Sequence, residues 1–349
     1  MKACSQALAE QRERGILMST KIEWTDETWN VITGCTLVDE GCRNCYAAEL
    51  AASRLKNHPS RAGLAKRNAQ GVASFTGEVR FNEDWLDQPL HWKAPRMIFV
   101  CAHGDLFHPN VPDEWIDRVF AVMALAPRHT FQVLTKRPER ARWHLQKLTD
   151  DGPADRLSDV AGRYMGDEAD CWIANYINGW SRPTEAPDDN PANGTVTRWP
   201  LPNVWLGTSV SDQASADARI PDLLETPAAK RFVSAEPLLG PVDFRDVEIE
   251  QGGKGKWHCD FLDNDGLGPE DDPIFHGATI DWIIVGGESG RRARPMHPDW
   301  ARNIRDQCQA AGTAFFFKQW GEYDEWGDRT GKKAAGRLLD GDEWSQMPI

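Results

Sequence analysis

Three cysteines stand within eleven residues near the start of the chain, in the stretch GCTLVDEGCRNCYA at residues 34–47. Cys35, Cys42 and Cys45 follow the spacing C-x6-C-x2-C, and Tyr46 comes directly after the third of them. Cysteine thiolates act as nucleophiles, as zinc ligands and as ligands of iron–sulfur clusters. The residue types therefore point to metal or redox chemistry, and the missing fourth ligand has to be accounted for.

Several uses of this loop are open from the residues alone. A structural zinc site wants four ligands, and beyond the three cysteines the next candidates are His58 and Cys101. A disulfide would leave one thiol over and needs an oxidising compartment. Buried free thiols usually have apolar neighbours, whereas this loop is rich in Gly, Asp, Glu, Arg and Asn. A [4Fe–4S] cluster on three cysteines would keep one iron open for another ligand.

Short apolar runs indicate the elements that must position the loop. Seven of them predict buried strands, at residues 29–33, 97–101, 131–135, 204–208, 231–235, 282–286 and 314–318. Helical patterns lie between them, at residues 46–56, 113–126, 138–149, 214–224 and 298–311. Strands that alternate with helices predict βαβ units and a parallel sheet. We therefore expect an α/β fold, built as a full or partial (β/α) barrel.

Polar residues collect where the predicted strands end. In α/β barrels the carboxyl ends of the strands build the active site. The residues at these ends are His103, Asp105, His108, Lys136, Arg137, Thr208, Ser209, Ser211, Ser234, Glu236, Gly286, Gly287, Glu288, Lys318 and Gln319. We expect them to surround one pocket, with the cysteine loop on the same rim.

Composition suggests one domain with polar additions. We expect a disordered tail at residues 1–20, with Met18 as an alternative start, a single barrel domain at residues 21–330, and a C-terminal tail at residues 331–349. Two segments rich in Asp, Pro, Gly and Asn, at about residues 150–202 and 246–278, are expected to be surface insertions.

Charge and hydropathy limit the setting. The net charge of −13 argues against a general attraction to nucleic acid, although the run Arg291, Arg292 and Arg294, with Lys136 and Arg137, offers a local basic patch. No run of about 18 apolar residues occurs in the sequence, and we expect residues 1–20 not to act as a secretory signal. We expect a cytoplasmic monomer with reduced thiols and no membrane partner.

The chain resembles a known family in several blocks. A three-cysteine loop after the first strand of an α/β barrel, with an aromatic residue beside the last cysteine, is similar to the radical S-adenosylmethionine (radical SAM) superfamily. The blocks IEWTDETWNVITGCTLVDEGCRNCYA, RFVSAEPLLGPVDF and WIIVGGESGRRARPMHPDWARNIRDQC resemble the phage Gp37/Gp68-like family, over roughly residues 21–322 without the two predicted insertions. Most radical SAM enzymes have C-x3-C-x2-C, whereas the first gap here is six residues long.

The resemblance implies a set of roles. Cys35, Cys42 and Cys45 would ligate a [4Fe–4S] cluster, and its open iron would bind S-adenosylmethionine as the precursor of a 5′-deoxyadenosyl radical. Tyr46 would pack beside the cluster. Asp105 would bind the ammonium group of the methionine, and Lys136 or Arg137 would bind its carboxylate. Hydrogen bonds to the ribose would come from Thr208, Ser209 and Glu236, and the backbone at Gly286 and Gly287 would approach the adenine. The sequence GGE at residues 286–288 looks like the superfamily's methionine-binding motif, but it follows the sixth predicted strand and not the second. That role is therefore not transferred.

The resemblance also suggests a substrate. LTKRPER and SAEPLLGPVD are similar to the branch that includes spore photoproduct lyase, and phage relatives are expected to modify nucleic acid. We expect a radical SAM isomerase or lyase acting on a modified thymine base in phage DNA, in the cytoplasm of a bacterial host, with a reductase as electron donor. The alternatives are a radical SAM enzyme on RNA or a small metabolite, and a non-catalytic binding protein stabilised by zinc or a cluster.

Overall fold

The structure is a computed structural model that describes residues 20, 22–178, 198–250, 256–263 and 278–348. Residues 1–19 of the tail predicted at residues 1–20, including Met18, lie outside these ranges, as do residues 179–197, 251–255 and 264–277 of the two predicted insertions. No helix in the described ranges is long and apolar enough to cross a membrane.

One parallel sheet of seven strands organises the chain. Its strands are β1 (Glu27–Trp29), β6 (Met97–Val100), β7 (Thr130–Thr135), β8 (Val204–Val210), β9 (Lys230–Ala235), β12 (Trp282–Gly286) and β13 (Ala314–Gln319). They lie side by side in chain order, and every pair is parallel. β1 and β13 form the two edges, so the sheet is a partial barrel and not a closed one. The predicted α/β class and parallel sheet are confirmed.

Helices cover the outer face of the sheet. They are α1 (Tyr46–Ala51), α2 (Gln88–His91), α3 (Asp113–Leu125), α4 (Pro138–Asp150), α5 (Pro153–Met165), α6 (Asp167–Ile177), α7 (Gln213–Glu225), α8 (Pro298–Ala311) and α9 (Lys332–Ala335). Four of the five predicted helices agree with the structure to within one residue at each end, and one of these, α8, has both ends as predicted. The pattern at residues 46–56 is helical only to Ala51, after which the chain continues in turns.

Four short antiparallel pairs of strands lie outside the seven-stranded sheet. They are β2 (Ile32–Thr33) with β5 (Arg80–Phe81), β3 (Ala65–Arg67) with β4 (Ala73–Phe75), β10 (Val247–Glu250) with β11 (Lys256–Cys259), and β14 (Leu338–Leu339) with β15 (Asp342–Glu343).

The predicted first strand, residues 29–33, is wrong as a single strand. β1 ends at Trp29, and Ile32–Thr33 leave the sheet to pair with β5. The Asn82 side chain donates to the carbonyl of Asn30 at 3.0 Å and fixes the turn between the two pieces. The apolar run is continuous because Trp29 is buried in the sheet while Val31 and Ile32 are buried after it turns away.

Two hydrophobic layers lie on opposite faces of the sheet. Ile98 and Val100 of β6 join the large cluster that includes the helices, whereas Phe99 between them joins a smaller cluster. Because successive side chains of a strand point to opposite faces, the smaller cluster fills the concave inside of the partial barrel. Its members are Trp24, Phe99, Ala102, Phe232, Trp282, Ile284 and Phe316. The barrel therefore has an aromatic floor.

The additions to the barrel are more integrated than surface loops. α5 and α6, within the first predicted insertion, place Leu157 and Ile173 in the main core, both fully buried. Residues 331–348, interpreted as a tail, run against the edge strand β13, where Phe317 N–H donates to Trp344 O at 2.9 Å and Gln346 N–H donates to Phe315 O at 3.1 Å. This pairing covers an exposed strand edge.

The aromatic floor generates a stability prediction. Trp282 is fully buried and packs against Trp24, Phe232 and Phe316, so we expect Trp282→Ala to lower the free energy of unfolding by about 3–5 kcal/mol. Urea denaturation followed by circular dichroism measures the loss. Trp326→Ala is the matched control, because that indole is 79% exposed, and it should change stability by less than about 0.5 kcal/mol. Equal losses in the two variants would contradict the assignment of the inner layer.

Candidate functional site

The cysteine loop begins where β2 ends and lies at the carboxyl ends of the parallel strands. Gly34, its first residue, donates its N–H to His103 O at 3.1 Å, next to the end of β6. Its φ of +96° is a conformation that glycine adopts at little cost, and a Cβ there would come within 2.1 Å of the Glu78 carbonyl. The loop therefore leaves the sheet at a fixed angle and stays on the rim.

The three thiols are partly accessible and interact through their charges. Burial raises the pKa of Cys35 to about 12, with Asp105 and Cys45 adding to the rise and Arg137 opposing it. Burial also raises the pKa of Cys45, and the charge of Cys42 raises it further, against the backbone N–H groups of Ala47 and Ala48. Ionising one thiol thus disfavours ionising the next, unless a cation shares the site.

Arg137 and His108 hold the first part of the loop. Arg137 Nη2 donates to Thr36 Oγ1 at 2.7 Å, and Nη1 lies 3.6 Å from Cys35 Sγ. His108 Nδ1 accepts the Asn110 N–H at 3.1 Å, so its Nε2 carries the proton and donates to Thr36 Oγ1 at 3.0 Å. Burial and the charge of Arg137 lower the pKa of His108 to about 4, which keeps this ring neutral at pH 7.

Asp39 fixes the middle of the loop to the next two strands. Lys136, which follows β7, donates to both Asp39 oxygens at 3.2 Å. Arg219 of α7 donates to Asp39 Oδ2 and, at 2.6 Å, to the carbonyl of Ser209 in β8. Burial favours the neutral acid, but Lys136 and Arg219 together outweigh it and lower the pKa of Asp39 to about 2. Asp39 is therefore an anion bound by two cations.

Glu288 fixes the end of the loop to the segment after β12. Asn44 Nδ2 donates to Glu288 Oε2 at 3.2 Å and to Arg292 O at 2.9 Å. Arg294 donates to both oxygens of Glu288, at 2.9 and 2.8 Å, and to Glu40 O at 2.9 Å. Glu288, the glutamate of the GGE sequence, is buried and accepts a hydrogen bond from Asn44 of the cysteine loop.

Tyr46 connects α1 to the end of β6. Its hydroxyl donates to Ala102 O at 2.7 Å, while the residue as a whole is 51% exposed. Ala102 follows Cys101, a non-glycine residue with φ of +56°. Non-glycine residues rarely adopt this left-handed conformation, and such strain collects at functional sites.

A charged pair lies inside the mouth of the barrel. Glu236 and Lys318 continue the inward-facing positions of β9 and β13 above Phe232 and Phe316, and Lys318 Nζ lies 2.9 Å from Glu236 Oε1. Their side chains are only 14% and 17% exposed. A Cβ at Gly286 would come within 2.5 Å of Glu236, so glycine makes room for this carboxylate.

Not all of the predicted site residues reach this mouth. Asp105 is buried, and its oxygens accept from Arg137 and Thr135, both at 2.7 Å. Thr208 lies on the helix-covered face and donates to Thr135 O at 3.0 Å. Ser209 faces inward and donates to Glu236 O at 3.1 Å.

Gly287 approaches protein and not open space, since a Cβ there would come within 1.8 Å of Trp320 O. Two residues of the predicted basic patch are also engaged: Arg292 with Gln70 and Gly71 carbonyls, and Arg294 with Glu288.

Sequence reasoning missed Asp39 and Arg219, and it did not assign Glu288 to the loop. Arg219 carries a visible signal, because it lies on the same helical face as Ala216, Ile220 and Leu223, which are all fully buried. A cation within such an apolar stripe needs an anionic partner. That partner, Asp39, is 180 residues away in sequence, which is why spacing alone does not identify it.

The loop fits a thiolate-ligated cluster by donor chemistry. Three thiols on one loop influence each other's ionisation, and the guanidinium of Arg137 and two backbone N–H groups face sulfur, as hydrogen bonds do around iron–sulfur clusters. In the part of the chain that the structure describes, no group of three or more His, Cys, Asp or Glu side chains is already gathered around a metal position.

The ion pairs of Asp39 with Lys136 and Arg219, called here the Asp39 clamp, predict that the stability of the protein depends on pH. Because the pKa of Asp39 is about 2 in the folded chain and 3.8 ordinarily, its contribution is complete above about pH 4 and is lost as the pH falls towards 2. We expect Asp39→Asn to cost about 2 kcal/mol at pH 7 in urea unfolding. The difference in unfolding free energy between Asp39→Asn and the wild type should become smaller at pH 2.5.

Glu49→Gln is the matched control, because its ion pair with Arg67 is exposed on both sides. We expect it to cost less than about 1 kcal/mol at pH 7. If the loss of unfolding free energy in Asp39→Asn were the same at pH 7 and at pH 2.5, the assignment of Asp39 as an anion bound by Lys136 and Arg219 would be contradicted.

The comparisons with known proteins place the chain in one family. No curated protein and no solved structure matches it. A family model described as a protein of unknown function, DUF5131, matches residues 19–348. That span covers the barrel, the cysteine loop and the C-terminal segment against β13, and the chain therefore belongs to the DUF5131 family.

Proposed function

We propose that this protein is a radical SAM enzyme that acts on a modified thymine base in phage DNA. The observation that carries the proposal is the three-cysteine loop clamped over the carboxyl rim of a parallel partial barrel. Active sites of α/β barrels lie at this rim, and three protein thiolates are one fewer than a closed cluster or zinc site needs. The substrate rests on the sequence resemblance, and RNA or a small metabolite is the alternative.

Cys35, Cys42 and Cys45 would hold a [4Fe–4S] cluster, which together with S-adenosylmethionine supplies a 5′-deoxyadenosyl radical for hydrogen abstraction. The remaining roles belong to the chain itself. The clamps on Thr36, Asp39 and Asn44 hold the loop in place over the barrel mouth. Such fixed positioning is the main contribution that a protein makes to cofactor chemistry.

The mouth of the barrel, where Glu236 and Lys318 lie above the buried aromatic layer, suits a polar substrate. Glu236 and Lys318 offer one acceptor and one donor to a base, and the aromatic layer beneath them excludes water. Asp105 is paired with Arg137, and Arg137 donates to Thr36 of the loop, so we assign both residues to positioning and not to direct cofactor contact.

The decisive experiment is a search for 5′-deoxyadenosine. With iron-reconstituted protein, dithionite and S-adenosylmethionine under anaerobic conditions, we expect mass spectrometry to detect this product. Cys42→Ala should abolish it, because two thiolates do not hold the cluster. Cys171→Ala is the matched control, since that exposed cysteine lies on α6 and away from the loop, and it should retain full activity.

Two results would decide against the proposal. If the protein takes up zinc and not iron, the loop is a structural clip and the chain is a binding protein. If iron binds but 5′-deoxyadenosine stays absent with and without substrate DNA, the cluster has another use.

The charged pair generates a separate prediction. We expect Lys318→Met to lower turnover of the substrate at least about tenfold, because Glu236 then loses its partner in the mouth. Iron content should stay at the wild-type level, because Lys318 pairs with Glu236 and makes no hydrogen bond or ion pair to the loop among the residues that the structure describes. Arg302→Met on the outer helix α8, a partly exposed cation paired with Asp299 and Asp340, is the control and should leave both quantities unchanged. Loss of iron in Lys318→Met would assign the pair to structure.

A further inference from the structure

A groove of about 720 Å³ opens beside the cysteine loop. Three segments form it: the loop itself, the β3–β4 hairpin, and the chain after β12. Its lining consists of Leu37, Arg43, Asn44, Asn68, Gln70, Val72, Ala73, Ser74, Arg292 and Arg294. A volume of this size takes a ligand of roughly nucleotide dimensions or somewhat larger.

The charge of this groove is opposite to that of the chain. Its lining contains three arginines and three side-chain amides but no carboxylate, in a protein of net charge −13. The surrounding segment, residues 42–76, carries six Lys and Arg residues against the single acid Glu49. A local reversal of this kind attracts a polyanion to one face while the rest of the surface repels it.

The arginines of the groove differ in how firmly they are held. Arg292 donates to Gly71 O at 3.0 Å and so ties the β3–β4 hairpin to the chain after β12. Arg294 is held by Glu288. The Arg43 side chain is 64% exposed, and its ion pair with Glu40 is long, at 3.4 Å. Arg43 is therefore the cation that can turn to a ligand at little cost.

The remaining lining suits a nucleobase. Asn68 Oδ1 accepts the Val72 N–H at 2.9 Å, and its amino group donates to no residue in the described ranges. The Gln70 amide makes no hydrogen bond to any residue that the structure describes. Leu37, which is 59% exposed, and Val72 supply apolar surface for the face of a base. Amides and an apolar wall beside cations are the elements of single-strand recognition.

We infer that this groove binds a single strand of DNA and leads it past the cysteine loop to the barrel mouth. The inference rests on the proposed function and adds the path and the state of the substrate. A base inside a duplex is out of reach of a recessed site, so enzymes of this kind take single strands or extrude the base. Arg43 contacts phosphate, and Asn68 and Gln70 contact base edges.

Binding of a fluorescein-labelled single-stranded DNA 12-mer, followed by anisotropy between 50 and 200 mM salt, tests the inference. We expect Arg43→Gln to weaken binding about fivefold and to lower the salt slope by about 0.7, the loss of one phosphate contact. Gln70→Glu, which places a carboxylate in the groove without changing its size, should weaken binding by a similar factor. Arg163→Gln is the matched control, with the same charge change at an exposed arginine of α5, and should bind as wild type.

The possible outcomes separate the groove from the chemistry. Equal losses in Arg43→Gln and Arg163→Gln, absent binding at 50 mM salt, or equal competition by an unlabelled duplex would overturn the inference. If 5′-deoxyadenosine forms but these variants bind normally, the groove assignment fails and the proposed function stands. If the product never forms while binding depends on Arg43, the groove stands as a nucleic-acid site without radical chemistry.

Discussion

The structure of the site depends on one partly buried charge cluster, in which Asp39 of the cysteine loop is bound by Lys136 and Arg219. These cations come from the end of β7 and from α7, so one carboxylate joins the loop to two βα units. Without Asp39, the two cations Lys136 and Arg219 would repel each other. Without the cations, the partly buried carboxyl group of Asp39 would favour its protonated form. Each charge is stable there only because the others are present, and the loop position follows from that balance.

The other contacts of the loop act on the same principle. Thr36 receives two donors from beyond β6 and β7, and Asn44 is held by the buried Glu288 after β12. The apolar side chains of the loop, Leu37 and Val38, are exposed and do not anchor it in the core, so directional bonds must fix it. The aromatic floor beneath supplies the opposite, a non-directional core that sets the shape of the barrel without reaching the rim.

The sequence predicts the frame much better than the site. Strands such as residues 282–286 are recognisable because parallel strands buried on both faces are continuously apolar, and α8 agrees at both ends because a proline begins it and a glycine ends it. The three thiols are visible by spacing. The resemblance and the position after a strand predict that Thr208 and Asp105 contact a cofactor, but strand position does not show which face a side chain takes or which partner it binds. Those facts depend on contacts such as Arg219 with Asp39, which join distant parts of the chain.

Charge segregation connects the loop to the groove. If the groove binds DNA as proposed, the net negative charge of the chain would repel this polyanion from most of the surface, and the basic segment at residues 42–76 would select where it arrives. Arg294 belongs to both parts, because it pairs with the Glu288 that holds Asn44 and also lines the groove. A ligand anion that approached Arg294 would compete with Glu288 for the same guanidinium. Occupation of the groove would then loosen the Asn44 end of the loop while Asp39 keeps the other end fixed, so the thiol nearest Asn44, Cys45, would be the one whose surroundings change with substrate.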